Sequence, residues 1–191
     1  MKRLSSENGQ QASKRKKYFE EPGDLGIIES VSLRNFMCHE NLKFDFDPHM
    51  NFIVGLNGSG KSAILTGIIL ALGGKSSSTG RYANIKGFIK TGKQSATASV
   101  VLKNSGISSY KPEEFGNKIT VERTLNADGV SQYKLKSETG RIVSTSKEEL
   151  KNILDTMDIK IENPVTVLTQ EISRNFLLQM KPDKLFAVSI V

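Results

Sequence analysis

The chain has one cysteine, Cys38, so no disulfide can form within it, which agrees with a reducing compartment. It has two histidines, His39 and His49. With a single thiol these are too few for a zinc site, so Cys38 and His39 read as ordinary residues of a strand or loop. No stretch approaches the ~20 apolar residues of a membrane span, and the polar N-terminus lacks a signal-peptide core. A membrane partner is therefore not expected. Acidic charge is missing over a long interval, with no Asp or Glu between Asp47 and Glu113. The same interval holds Lys61, Lys75, Arg81, Lys86, Lys90, Lys93, Lys103 and Lys111. Charge of one sign makes a positive field suited to nucleotide phosphates and a DNA backbone, unless acids elsewhere in the fold neutralise it.

What is present describes a globular protein. The 191 residues are 37% hydrophobic and 25% charged, with 27 Lys+Arg against 20 Asp+Glu for a net charge of +7. That length supports about one domain with a sizeable core. Residues 1–24 have almost nothing to bury and read as a disordered basic tail. Within it, Lys14-Arg15-Lys16-Lys17 reads as a nuclear localisation signal, a nucleic-acid tether or a solvated charge run.

The chain is organised around Gly55-Leu56-Asn57-Gly58-Ser59-Gly60-Lys61-Ser62. This fits G-x-x-x-x-G-K-S/T, the phosphate-binding P-loop. Asn51 to Val54 before it reads as a short buried strand, and Ala63 to Leu72 after it as an apolar helix stopped by Gly73-Gly74. Glycines let the backbone curl close to phosphate, and the curled N–H groups with the helix N-terminus offer positive charge to an anion. Lys61 is expected at the β- and γ-phosphates, and the Ser62 hydroxyl on Mg²⁺. The alternative is a glycine turn that binds nothing. The motif alone does not say which kind of nucleotide-binding domain this is.

Around the loop, apolar alternation predicts strands over residues 27–33 and 41–47, and again over 95–102 and 119–125. Asn126-Ala127-Asp128-Gly129 is a hairpin turn, with pairing back over 131–136 and a further strand from Arg141. Residues 104–117 read as a polar loop. This antiparallel meander differs from the alternating βα units of kinase-like P-loop folds. Ser146 and Glu149 form a capping box for a helix whose Leu150, Ile153, Leu154 and Met157 face the core. Asn163-Pro164 breaks the chain, and Val165 to Leu168 reads as a short strand running into Gln170.

Five pieces taken together resemble the N-terminal ATPase-head segment of the SMC (structural maintenance of chromosomes) family. They are Leu33 to His39, the P-loop, Leu72 to Lys75, Lys86 to Ile89, and Asn163 to Glu171, in family order from about Leu25 to Met180. The resemblance implies an α/β fold: an ABC-type P-loop half-head with a mixed sheet, the antiparallel meander and the P-loop helix, over residues 25–180. It implies ATP and Mg²⁺ as cofactors, with Gln170 as the Q-loop glutamine on Mg²⁺ or the attacking water. It implies Arg81 as the arginine near the nucleotide, a place that Lys86 could also fill. The partners implied are the C-terminal half of the same head, a heterodimeric SMC partner, kleisin-type subunits and DNA held by its phosphates without sequence preference. The setting implied is DNA repair and recombination on nuclear chromosomes.

The pattern departs from the family in two places. No apolar run ends in Asp-Glu as a Walker B would, and there is no LSGG-like signature. Nor do heptads follow the Q-loop, and residues 181–191 read as a truncated or divergent tail. The expectation is a truncated isoform or a fragment that binds nucleotide weakly and hydrolyses essentially none alone. Competing readings are a non-catalytic product acting through partners or DNA, a fragment of a RecF/RecN-type repair ATPase, and a small P-loop kinase. The meander argues against the kinase.

Overall fold

The computed structural model describes residues 25–79, 81–82, 84–163, 166–168 and 173. Among the described residues six strands form one sheet: β1 (Ile28–Phe36), β2 (His39–Asp45), β3 (Ser95–Lys103), β4 (Lys118–Asn126), β5 (Ser131–Lys136) and β6 (Ile142–Ser144). Their spatial order is β2-β1-β3-β4-β5-β6, and every neighbouring pair is antiparallel. Among the described residues three α-helices with assigned bounds accompany them: α1 (Lys61–Ala71), α2 (Pro112–Phe115) and α3 (Lys147–Thr156).

Alternation along the strands gives the sheet two different faces. On one face Val31, Leu33, Ala98, Val100, Val121 and Leu135 are buried, and α1 packs against them through Ala63, Ile64 and Leu70. Helix α1 is apolar almost all round, as a helix enclosed by a core should be. Gly67 permits the close approach: a Cβ there would lie 2.3 Å from Leu33 Cδ2. The opposite face is polar. Lys43, Ser32, Ser99, Glu122 and Lys134 sit side by side across five strands in a shallow groove of about 630 Å³.

Four sequence expectations need correction. Asn51 to Val54 is not a strand: it runs unpaired, with Phe52 80% and Val54 87% exposed. A buried P-loop strand needs neighbours on both faces, and among the described residues β2 and β6 close the sheet elsewhere. The polar loop after β3 contains α2, which delivers Phe115 to the core. Ser146 does cap α3, accepting from the Glu148 N–H at 3.1 Å. Glu149, however, turns to Lys111 (2.7 Å) and Tyr110 (3.0 Å), so the box does not close reciprocally. Finally, Thr166 to Leu168 are not a strand: Thr166 lies in a turn, and the Asn163 carbonyl accepts from both the Thr166 and Val167 N–H groups at 3.0 Å, while Val165 lies outside the described residues.

Candidate nucleotide site

The phosphate loop is built by glycine conformation. Gly58 (φ 84°) and Gly60 (φ 96°) occupy the left-handed region that side chains rarely adopt. Between them the chain reverses, and Ser59 N–H donates to the Leu56 carbonyl at 3.1 Å. Gly60 is the N-cap of α1, and its carbonyl accepts from Ala63 N–H at 2.8 Å. The first turn of α1 carries no acidic residue, so the positive end of the helix is not offset from within. Asn57 and Ser62 are exposed, and a Cβ on Gly55 would stand 2.7 Å from Ser59 Oγ.

Lys61 folds back over this loop. Its Nζ donates to the carbonyls of Gly55 (2.6 Å) and Leu56 (2.7 Å). The ammonium thus closes the loop onto its first two residues, Gly55 and Leu56. A left-handed glycine turn, an unoffset helix N-terminus and that ammonium fit a polyphosphate.

Behind the loop lies the β1–β2 hairpin. Phe36 pairs with His39 across the two-residue turn Met37-Cys38. His39 Nε2 is buried and has no hydrogen-bond partner among the described residues. A Cβ built on Gly60 would fall 2.3 Å from that nitrogen. The reading of His39 as an ordinary strand residue misses this contact. Sequence gave only one hint, its place in the Leu33 to His39 stretch.

The segment after α1 carries the other basic candidates. Arg81 is exposed and follows the short 3₁₀ turn Ser76–Thr79, with its backbone N–H 3.4 Å from Thr79 Oγ1. Lys86 is also exposed, and its stem lies against Gly129 in the β4–β5 turn. Gln170 lies outside the described residues. The acid-free interval is partly neutralised from outside. Glu40 meets Lys90 (3.7 Å) and Lys93 (3.4 Å), Glu149 meets Lys111 (2.7 Å) and Glu162 meets Lys75 (3.3 Å). The pairs of Glu40 and Glu162 are solvent-exposed and therefore weak, whereas the Glu149 side chain is only 17% exposed.

At its far end α1 is held by Arg123 on β4. Nη1 donates to the carbonyls of Leu70 (2.9 Å) and Gly74 (3.1 Å), Nη2 to Ser131 Oγ (3.3 Å), and the guanidinium lies 5.1 Å from the Tyr133 ring centroid. Burial lowers the arginine pKa and raises that of Tyr133. Arg123 was visible in the sequence as a charge on the apolar phase of β4, between Val121 and Leu125.

The AAA domain family matches residues 30–189. Structural maintenance of chromosomes protein 6 from Takifugu rubripes is 52% identical over 155 residues, covering 81% of this chain and 14% of that protein. The same-named protein of Homo sapiens is 51% identical over 155 residues, again 81% of this chain and 14% of the relative. The chain belongs to the SMC family. It is an ATPase-head segment of that family, and its nucleotide-binding fold is shared with solved SMC heads. One SMC ATPase structure, from work on ATP-driven dimerization and DNA-stimulated activation, superposes with a TM-score of 0.72 at 25% identity, over 85% of this chain and 97% of that one. An SMC head bound to the C-terminal winged-helix domain of ScpA gives 0.64 at 26% identity, over 82% and 47%. This SMC segment thus spans about one seventh of the length of the curated relatives it matches, 14% in each case above.

Proposed function

We propose that this SMC segment is the ATP-binding N-terminal half of a chromosomal ATPase head that works in DNA repair and recombination in the nucleus. The observation that carries the reading is the loop itself, with Lys61 held on the Gly55 and Leu56 carbonyls beneath a left-handed glycine turn. In this role the Gly55 to Ser62 backbone and Lys61 bind the triphosphate, and Ser62 with Gln170 holds Mg²⁺. Arg81, or Lys86 in its place, offsets phosphate charge. The ion would stabilise negative charge on the transferred phosphoryl group.

Hydrolysis belongs to a completed head. No run within the sequence supplies a Walker B carboxylate or a signature motif. Met50, Phe52, Val54 and Leu56 are all largely exposed, an apolar row suited to cover by the C-terminal half of the same head. The remaining partners we assign are a heterodimeric SMC protein, kleisin-type subunits and DNA phosphates met by the basic segment after α1. One solved relative is an SMC head bound to the ScpA winged-helix domain, which supports a kleisin-type partner.

The test is a titration with a fluorescent ATP analogue, followed by an ATPase assay with a C-terminal head half co-expressed. The chain alone should bind weakly, lose binding in Lys61→Ala, and show turnover only in the co-expressed form. Turnover by the chain alone above a Lys61→Ala control would refute the division of labour. A co-expressed head that binds ATP but never turns it over would favour a non-catalytic role.

A further inference from the structure

The β1–β2 hairpin is held in an unusual way. Asn35 (φ 49°) and Met37 (φ 53°) are both left-handed without being glycine. Such positions persist only where neighbours enforce them, and they gather at ligand sites. Here the neighbours are visible. Met37 N–H donates to the Phe88 carbonyl at 2.7 Å, Lys90 N–H donates to the Asn35 carbonyl at 2.9 Å, and the Phe36 and Phe88 rings stack 5.8 Å apart. The outcome of this pinning is the placement of His39, the first residue of β2.

The ring edge of His39 abuts Gly60. A Cβ there would lie 2.3 Å from Nε2 and 2.5 Å from Cε1, so glycine is required by space as well as by its φ of 96°. Buried nitrogens are nearly always hydrogen-bonded, because a buried polar atom loses its water. Nε2 of His39 is buried and has no partner among the described residues. It stands at the residue that joins the phosphate loop to α1. If the oxygens of a bound triphosphate reach the turn at Gly60, an Nε2–H tautomer is the donor they would take.

We propose that His39 is a positioning residue of the nucleotide site. It fixes the Gly60 turn from behind, and its Nε2 acquires a hydrogen-bond partner when a triphosphate fills the loop. The proposal rests on the nucleotide-binding reading of Gly55 to Ser62. It also links the segment that carries Arg81 and Lys86 to the loop, since the chain just after Lys86 is what pins the hairpin.

The test uses the whole chain labelled with ¹⁵N-histidine. Only two imidazoles report, and His49→Gln leaves His39 alone. On addition of Mg-ATP the His39 Nε2 resonance should move and that of His49 should not, while Lys61→Ala should abolish the movement. In a titration with a fluorescent ATP analogue, His39→Ala should weaken binding about tenfold, the size of one lost hydrogen bond. His39→Gln, whose amide can again donate, should recover most of it. A stationary Nε2 signal at saturating nucleotide, or wild-type affinity in His39→Ala, overturns the proposal and leaves the nucleotide site standing. If both variants fail to fold, the wild-type resonance alone decides. If Lys61→Ala binds ATP as the wild type does, the nucleotide reading fails and His39 falls with it.

Discussion

Arg123 on β4 donates from Nη1 to the Leu70 carbonyl at 2.9 Å, tying the middle of the sheet to the last turn of the P-loop helix. The same nitrogen reaches the Gly74 carbonyl beyond the helix end. A cation here answers carbonyls that the helix cannot satisfy and complements its negative end. Arg123→Ala should destabilise the fold by about 2–4 kcal/mol, because buried carbonyls lose a charged donor. Arg123→Lys should recover only part, since an ammonium cannot serve two carbonyls and Ser131 while stacking on Tyr133. Urea denaturation measures both, and an alanine variant within about 0.5 kcal/mol of wild type would contradict the account.

Gly67 and Leu33 make a second pair to test. The helix interior disfavours glycine, so Gly67→Ala would ordinarily stabilise. Here the added methyl would meet Leu33 Cδ2 at 2.3 Å in a core where Leu33 is 2% exposed. The expected result is a loss of about 1–3 kcal/mol from overpacking. Combining it with Leu33→Ala should cost less than the sum of the two single changes. Strict additivity in that cycle would show that the two residues do not compete for space.

The apolar row ahead of the loop predicts behaviour in solution. Phe52→Ser with Val54→Ser should leave the melting temperature of the chain nearly unchanged, because both side chains are exposed. Aggregation of the isolated chain should fall. Association with a co-expressed C-terminal head half should weaken, as read by co-purification. Unimpaired association would place that interface elsewhere.

Glu149 gives a prediction in pH. The Lys111 hydrogen bond is the largest influence holding its carboxyl below the usual carboxylate value of 4.5, with Tyr110 adding to it. A carboxyl depressed in the folded state stabilises above its unfolded pKa, and that stability is lost as pH falls through the lowered value. Lys111 stays open to water although the Glu149 side chain is only 17% exposed, so Glu149→Gln should cost about 1 kcal/mol at neutral pH. The gap between variant and wild type should narrow as pH falls below the usual carboxylate value and through the lowered one in a denaturation series. A gap that persists at the acid end would mean that packing, not charge, is the cause.

Much of the fold was legible. Strands β3 and β4 alternate so strictly that their register can almost be read off the sequence, and the loop motif located α1 within two residues. What escaped depended on neighbours distant in the chain. Asn51 to Val54 has the composition of a strand, but composition cannot show whether a partner edge exists. Glu149 satisfies the spacing of a capping box, yet Lys111 and Tyr110 on a separate loop take its carboxylate. His39 looked unremarkable because its importance lies in Gly60, which no periodicity connects to it. Helix α2 was too short for any period to show.

The strand order has a consequence for how the chain assembles. Strands β3 to β6 follow one another in the chain as they do in the sheet, β3 and β4 through the segment that holds α2 and the others through short turns, so each can pair as soon as its neighbour exists. The β1–β3 ladder is different: Arg34 pairs with Thr97 only after the whole glycine loop, α1 and the turns beyond it have been gathered between them. Closing so long an excursion is entropically expensive and kinetically late. The meander should therefore gain amide-exchange protection early in refolding, and the phosphate loop should acquire its shape only when β1 docks, making nucleotide affinity a reporter of the last step.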